Sequence, residues 1–79
     1  MDCELWFRRA KGYIETRVEP NKAFEVRDLF ESYVWNQLSK GERITFGKFF
    51  ANAVAEKQVD SIVRIDRAKN NHARYIKQE

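Results

Sequence analysis

The sequence predicts one small α+β domain in which a β-hairpin is followed by two helices and a second β-hairpin. Its 79 residues leave room for a single domain with a thin core. Segments near the two ends of the chain have the β-branched residues typical of strands, accompanied near the amino terminus by aromatic residues, whereas the middle carries apolar residues at helical spacing. The chain is 43% hydrophobic and 34% charged, proportions typical of a folded protein rather than a disordered one.

The first hairpin is predicted within residues 1–19. Glu4–Arg9 and Tyr13–Val18 are rich in aromatic and β-branched residues, as strands are. Between them, Ala10-Lys11-Gly12 supplies a turn with a glycine for a positive φ. After a break at the only proline, Phe24-Glu25-Val26 is expected to be a short extended segment.

Two helices are predicted in the middle of the chain, at about residues 29–38 and 46–57. Asp28 is suited to cap the first helix and Lys40-Gly41 to end it, since glycine is common just past a helix. Thr45 is suited to cap the second. The strongest helical pattern in the chain then follows, at Phe46, Phe49, Phe50, Ala53 and Val54.

The second hairpin is predicted from strands at about residues 62–66 and 73–77. Asn70-Asn71 lies in the connection, where asparagine tolerates left-handed backbone geometry. In the last strand, either Tyr75 or Ile76 faces the core.

Positive charge is concentrated in this second hairpin. The whole chain has a net charge of only +3, but residues 61–78 contain five basic residues against one acidic residue. Such a segment is suited to contact phosphates. The candidate contacts are Arg64, Arg67, Lys69, Arg74 and Lys77, with Lys48, Arg43 and Lys57 extending the track.

A second basic cluster lies near the amino terminus, where the net charge of residues 1–19 is zero. Trp6, Arg8, Arg9 and Lys11 combine cations with an aromatic ring, the combination that binds a single-stranded backbone and stacks on its bases. These four residues form a secondary candidate surface for DNA or for a protein.

Catalytic, metal and cofactor sites are not expected. Cys3 is the only cysteine and His72 the only histidine, so neither a disulfide framework nor a Cys/His metal cluster can be assembled. No glycine-rich phosphate loop and no paired carboxylates on an apolar face are present. Without a membrane-length apolar run or a signal peptide, the protein is expected to be cytoplasmic.

The predicted order of elements suggests a winged helix–turn–helix domain over residues 1–79, with a helix–helix–wing core at residues 26–77. Particular motifs also suggest a family. They are Asp28-Leu29-Phe30, Trp35, Leu38-Ser39-Lys40-Gly41, Phe46-Gly47-Lys48-Phe49-Phe50 and Tyr75. Over about residues 26–75 the chain resembles the small proteins carried on mobile cassette-chromosome elements and related Gram-positive elements and phages. The resemblance implies a compact winged-helix protein that binds single-stranded DNA.

The expected function is therefore non-catalytic, largely sequence-independent binding of single-stranded DNA through the basic wing, in replication or transfer of a mobile element. A duplex-DNA-binding winged-helix regulator is one alternative. It is weakened because only Lys48 and Asn52 on the second helix are suited to base contacts. A protein-interaction adaptor of a phage or mobile element is another, in which Trp6 and the face with Ala51 and Ala55 make the contact. Self-association and a replication-protein partner stay open.

Overall fold

Three α-helices, one 3₁₀ turn and a three-stranded antiparallel sheet form the fold in a computed structural model that describes residues 1–65 and 73–78. The α+β class predicted from the sequence is confirmed. Within the described residues, no helix has the length and apolar character needed to cross a membrane. The elements in chain order are α1 (Cys3–Arg17), β1 (Ala23–Phe24), the 3₁₀ turn (Val26–Leu29), α2 (Ser32–Asn36), α3 (Lys40–Ala55), β2 (Ile62–Ile65) and β3 (Arg74–Lys77).

The predicted amino-terminal hairpin is wrong, because residues 3–17 form one continuous helix, α1. Its buried residues are Phe7, Ala10 and Ile14, which recur at helical rather than strand spacing. Asp2 caps the helix by accepting a hydrogen bond from the backbone N–H of Leu5 at 3.1 Å. Gly12, which was assigned to the turn of this hairpin, is instead an exposed helical residue whose φ is not positive.

The single helix predicted at about residues 29–38 is also corrected, because this segment contains the 3₁₀ turn and the short helix α2. Asp28 does not begin an α-helix; its carboxylate accepts the backbone N–H of Glu25 at 2.9 Å and closes the 3₁₀ turn. Phe30 is then extended, with φ −132° and ψ 153°, which ends the first turn and separates it from α2. The ring of Phe30 packs against that of Trp6, with their centroids 4.9 Å apart.

The helix predicted at about residues 46–57 exists, but it begins six residues earlier, as α3. Ser39 is its N-cap and forms a capping box with Glu42: each backbone N–H donates to the other residue's side chain, at 2.9 and 3.2 Å. Lys40-Gly41, predicted to end a helix, opens this one. Thr45, predicted as a cap, lies in its second turn.

The sheet has the order β1-β3-β2, so the last strand is the central one. The predicted carboxyl-terminal hairpin is confirmed as the antiparallel pair β2–β3, with Ile62 opposite Lys77 and Ile65 opposite Arg74. Of the predicted extended segment at 24–26, Phe24 lies in β1 and Glu25 has extended backbone, whereas Val26 begins the 3₁₀ turn. Tyr75, rather than Ile76, is the core residue of β3, and only 1% of its surface is exposed.

Aromatic rings fill the core where α1, α3 and the sheet meet. The ring of Phe50 meets that of Tyr75 edge to face at 5.0 Å, and Phe46 packs against the rings of Phe30 and Trp6. Phe46, Phe50 and Ile14 are fully buried. The phenylalanine stripe predicted as core on the second helix therefore lies in the core, with Phe49 half-buried at its edge.

Candidate nucleic-acid interface

Of the five predicted phosphate contacts on the hairpin, three lie on described residues. Arg64 is exposed and Arg74 half-buried, and they belong to the two residue pairs nearest the hairpin connection. Because cross-strand partners share a face and successive residues alternate, Arg64 lies on the Tyr75 face of the sheet and Arg74 on the opposite one. Arg67 and Lys69 lie outside the described residues.

Lys77 has a different role in the structure from Arg64 and Arg74. It belongs to the residue pair farthest from the hairpin connection, opposite Ile62. Its Nζ donates to the backbone carbonyl oxygens of Ile14 at 2.9 Å and Val18 at 3.3 Å. Carbonyls at the end of a helix lack partners within the helix and attract cations. Two of the three ammonium donors of Lys77 therefore hold α1 against β3.

The exposed face of α3 is nearly uncharged beyond its first turn. Lys48 and Asn52 are exposed there, as predicted, but the other exposed side chains are small or apolar except at the carboxyl end. Gly47 and Ala51, expected to be exposed, are half-buried. The exposed residues after the first turn are Ile44, Thr45, Lys48, Asn52 and Ala55. One cation among five residues is a poor match to base-specific reading of a duplex groove.

Lys57 follows the end of α3 and has left-handed backbone, with φ 62°. Its N–H donates to the carbonyl of Val54, and that of Gln58 donates to Ala53, both at 3.0 Å. This pair of bonds is a Schellman motif, which usually has glycine at the position of Lys57. The side chain is exposed and extends from the carboxyl end of α3.

The secondary candidate surface is not one patch, because the helix distributes its four residues around the axis of α1. Arg8 and Arg9 are exposed, whereas Trp6 is half-buried against Phe30 and Phe46. Lys11 Nζ lies 5.8 Å from the ring centroid of Phe7, within cation–π distance. The indole of Trp6 is thus part of the core rather than a platform beside the arginines.

A groove of about 830 Å³ lies between the 3₁₀ turn, α2, the first half of α3 and the start of β3. Its apolar wall contains Phe30 and Trp35, whose rings are stacked with centroids 5.8 Å apart and planes 13° from parallel. Ile44, 50% exposed, lines it from α3. Ala73 and Tyr75, the neighbours of Arg74 on the hairpin, line it as well, so the groove adjoins the hairpin.

Two arginines line this groove in different electrostatic settings. Arg27 Nε lies 3.3 Å from the carboxylate of Glu25, so these two charges offset each other. Arg43 has no ion pair with any described residue. Its Nη2 donates to the carbonyl of Asn36 over a long 3.4 Å, and its buried Nε has no hydrogen-bond partner among the described residues. Arg43 is therefore the uncompensated cation of the groove.

Two residues near the starts of α2 and α3, Tyr33 and Glu42, have shifted pKa values. The backbone N–H of Ser39, and to a lesser degree its hydroxyl, donate to the Glu42 carboxylate and hold the pKa of Glu42 below its usual value. A hydrogen bond to the carboxylate of Glu31, together with its negative charge, raises the pKa of Tyr33. Both side chains are in solvent contact, so these shifts reflect local pairing rather than burial.

Sequence reasoning missed the groove because it placed Phe30 and Trp35, which line it, on one helix at about residues 29–38. The extended backbone at Phe30 instead separates this residue from α2. Tyr33, in the same predicted helix, is 65% exposed. The signal that could have located the helix start was the Ser39-x-x-Glu42 capping box.

The described residues contain no group of three or more His, Cys, Asp or Glu side chains arranged to hold a metal ion. Cys3 is a free, half-buried thiol on α1.

Comparison with known proteins identifies a family. A protein family described as a domain of unknown function (DUF1413) matches residues 14–77, which covers the last turn of α1 and all later elements. No curated protein and no solved structure matches the chain.

Proposed function

The chain belongs to the DUF1413 family, a domain of unknown function, and we propose that it is a winged helix–turn–helix protein that binds single-stranded DNA without catalysis. The order of elements supports the winged form. Residues 37–39 connect α2 to α3, and the hairpin β2–β3 follows α3. Strand β3 of this hairpin also pairs with β1, the strand that precedes α2.

The observation that carries the proposal is where the cations lie relative to α3. Beyond its first turn, the exposed face of this helix has one cationic side chain, that of Lys48. Arg64 and Arg74 lie on the hairpin, beside its connection. A duplex reader needs several base-contacting side chains on the helix in the groove. A binder that neutralises the backbone needs only cations and aromatic rings, in a sequence-tolerant arrangement. The described surface favours the second mode.

The test is fluorescence anisotropy with labelled oligo-dT and a random duplex of the same length, each at two salt concentrations. We expect tighter binding to oligo-dT. We also expect the logarithm of its association constant to fall with the logarithm of salt, by about 0.7 for each phosphate neutralised. Equal or stronger binding to the duplex would favour the regulator, and the absence of salt-sensitive binding to either would favour the protein-interaction adaptor.

Two double variants locate the contact. One variant carries Arg64→Gln and Arg74→Gln, and the other carries Arg8→Gln and Arg9→Gln. Each removes two positive charges, so the loss of long-range attraction is the same in both. We expect the hairpin variant to lose affinity for oligo-dT roughly tenfold more than the α1 variant, and to have the shallower salt dependence. A larger loss in the α1 variant would move the binding surface to α1. The proposed setting is replication or transfer of a mobile element. In that setting, the surface that binds oligo-dT should also be the surface that the process requires.

A further inference from the structure

The groove beside α2 combines an aromatic wall with one uncompensated cation. Trp35 and Phe30 form the wall, and Arg43 extends into the groove from α3. Of the two carboxylates in the lining, Glu25 pairs with Arg27, whereas Asp28 keeps its negative charge and accepts the backbone N–H of Glu25. Arg43 has no ion pair among the described residues, so it is the cation that an anion entering the groove would meet.

We propose that this groove holds one nucleotide of the bound strand, with its base against Trp35 and its phosphate on Arg43. The inference rests on the proposed function and assigns it a specific site. A volume of about 830 Å³ is in the range of small-molecule sites and exceeds what a lone inorganic anion requires. An aromatic wall beside a guanidinium fits a nucleotide, because the base can lie against the aromatic rings while the phosphate binds the guanidinium.

The position of the groove makes it continuous with the hairpin. Tyr75 lines the groove, and Arg64 lies opposite Tyr75 on the same face of the sheet. A strand whose backbone contacts the hairpin at Arg64 is thus directed toward Trp35, which lines the same groove. Ser32 and Asn36, also in the lining, offer a hydroxyl and an amide to the edge of a base.

The arginine geometry adds a reason for anion binding. Arg43 Nε is buried and has no acceptor among the described residues, and leaving such a donor unpaired is unfavourable. Arginine binds phosphate through a fork of N–H groups, so an anion at the guanidinium can engage more than one donor. Lysine at this position would provide the charge without the fork.

The first experiment uses the unmodified chain, labelled with ¹⁵N. Its spectra resolve the two tryptophan indole N–H groups and the arginine Nε–H groups, and Trp6→Phe assigns the indoles. On addition of oligo-dT we expect the Trp35 indole and the Arg43 Nε–H to shift, while the Trp6 indole stays in place. Thymidine monophosphate should shift the same two resonances, whereas inorganic phosphate should shift only that of Arg43. Oligo-dT binding without a shift of Trp35 and Arg43 would overturn the nucleotide site and leave the proposed function intact.

The second experiment measures affinity in matched variants. Arg43→Gln should weaken oligo-dT binding about tenfold more than Lys22→Gln, which removes the same charge from an exposed turn outside the groove. Arg43→Lys should give an intermediate value. An oligomer of abasic sites should bind the unmodified chain more weakly than oligo-dT by about the same factor, because it lacks the bases. If Arg43→Gln and Lys22→Gln weaken binding equally, the groove is not the site. If the unmodified chain binds no oligonucleotide at all, the proposed function itself fails.

Discussion

The two ends of the chain have similar contents of β-branched and basic residues and fold differently. Residues 4–18 and 62–77 are both rich in these residues, yet the first segment forms the helix α1 and the second contains the hairpin β2–β3. In α1 the buried residues are spaced by three and four, at Phe7, Ala10 and Ile14. In β3 the buried Tyr75 has half-buried neighbours on both sides. The comparison teaches that spacing of apolar residues, rather than residue type, decides between helix and strand.

The largest expected effect comes from Ile14→Ala, which removes a fully buried side chain of α1. We expect unfolding in denaturant to become easier by about 2–5 kcal/mol, since both burial and packing are lost. Ile76→Ala, at a half-buried position of β3, is the matched control and should cost clearly less. Equal losses would mean that α1 contributes no more to the core than the outer face of the sheet.

An intermediate effect is expected from Lys77→Met, which breaks the connection between the two regions. The variant keeps the aliphatic stem but leaves the carbonyls of Ile14 and Val18 without the ammonium donor. We expect a loss of about 2 kcal/mol in the free energy of unfolding, typical of hydrogen bonds from a charged group. Lys48→Met, on the exposed face of α3, should change stability by less than about 0.5 kcal/mol.

The smallest effect, and the sharpest test of the comparison, is Gly12→Ala. In the helix α1, Gly12 is exposed and a Cβ would have nothing within 4 Å, so alanine should stabilise the protein by up to about 1 kcal/mol. In a hairpin turn with positive φ, the same change would be destabilising. The sign of the shift in thermal midpoint therefore distinguishes the two local structures without any other variant.

Much of the fold could be predicted because the middle and the end of the chain follow simple periodic rules. The phenylalanine stripe of α3 and the strands of the second hairpin were located from their spacing, with boundary errors at the helix starts. Residues 3–17 were misassigned because Gly12, a turn residue by composition, is tolerated on the exposed side of a helix. The break at Phe30 could not be predicted, since its extended backbone serves ring packing between distant segments.

The candidate site was predictable only in its charges. Counting cations by segment selected Arg64 and Arg74, which both lie near the hairpin connection, on opposite faces of the sheet. Counting did not show that Lys77 is used inside the fold, because its acceptors lie about sixty residues earlier in the chain. Counting selected Arg43 only as an extension of the track, because its lack of an ion pair among the described residues depends on which neighbouring charges are already paired.

The central position of β3 constrains the order in which the domain can fold. β1 and β2 pair only with β3, so neither is part of a sheet until residues 74–77 have been synthesised. The same strand supplies Tyr75 to the core and, through Lys77, closes the carboxyl end of α1. During synthesis, α1 and α3 can form local helical turns but cannot complete the core. We therefore expect this domain to complete its fold only after residues 74–77 have been synthesised, with the closure of the long loop between β1 and β3 slowing that step.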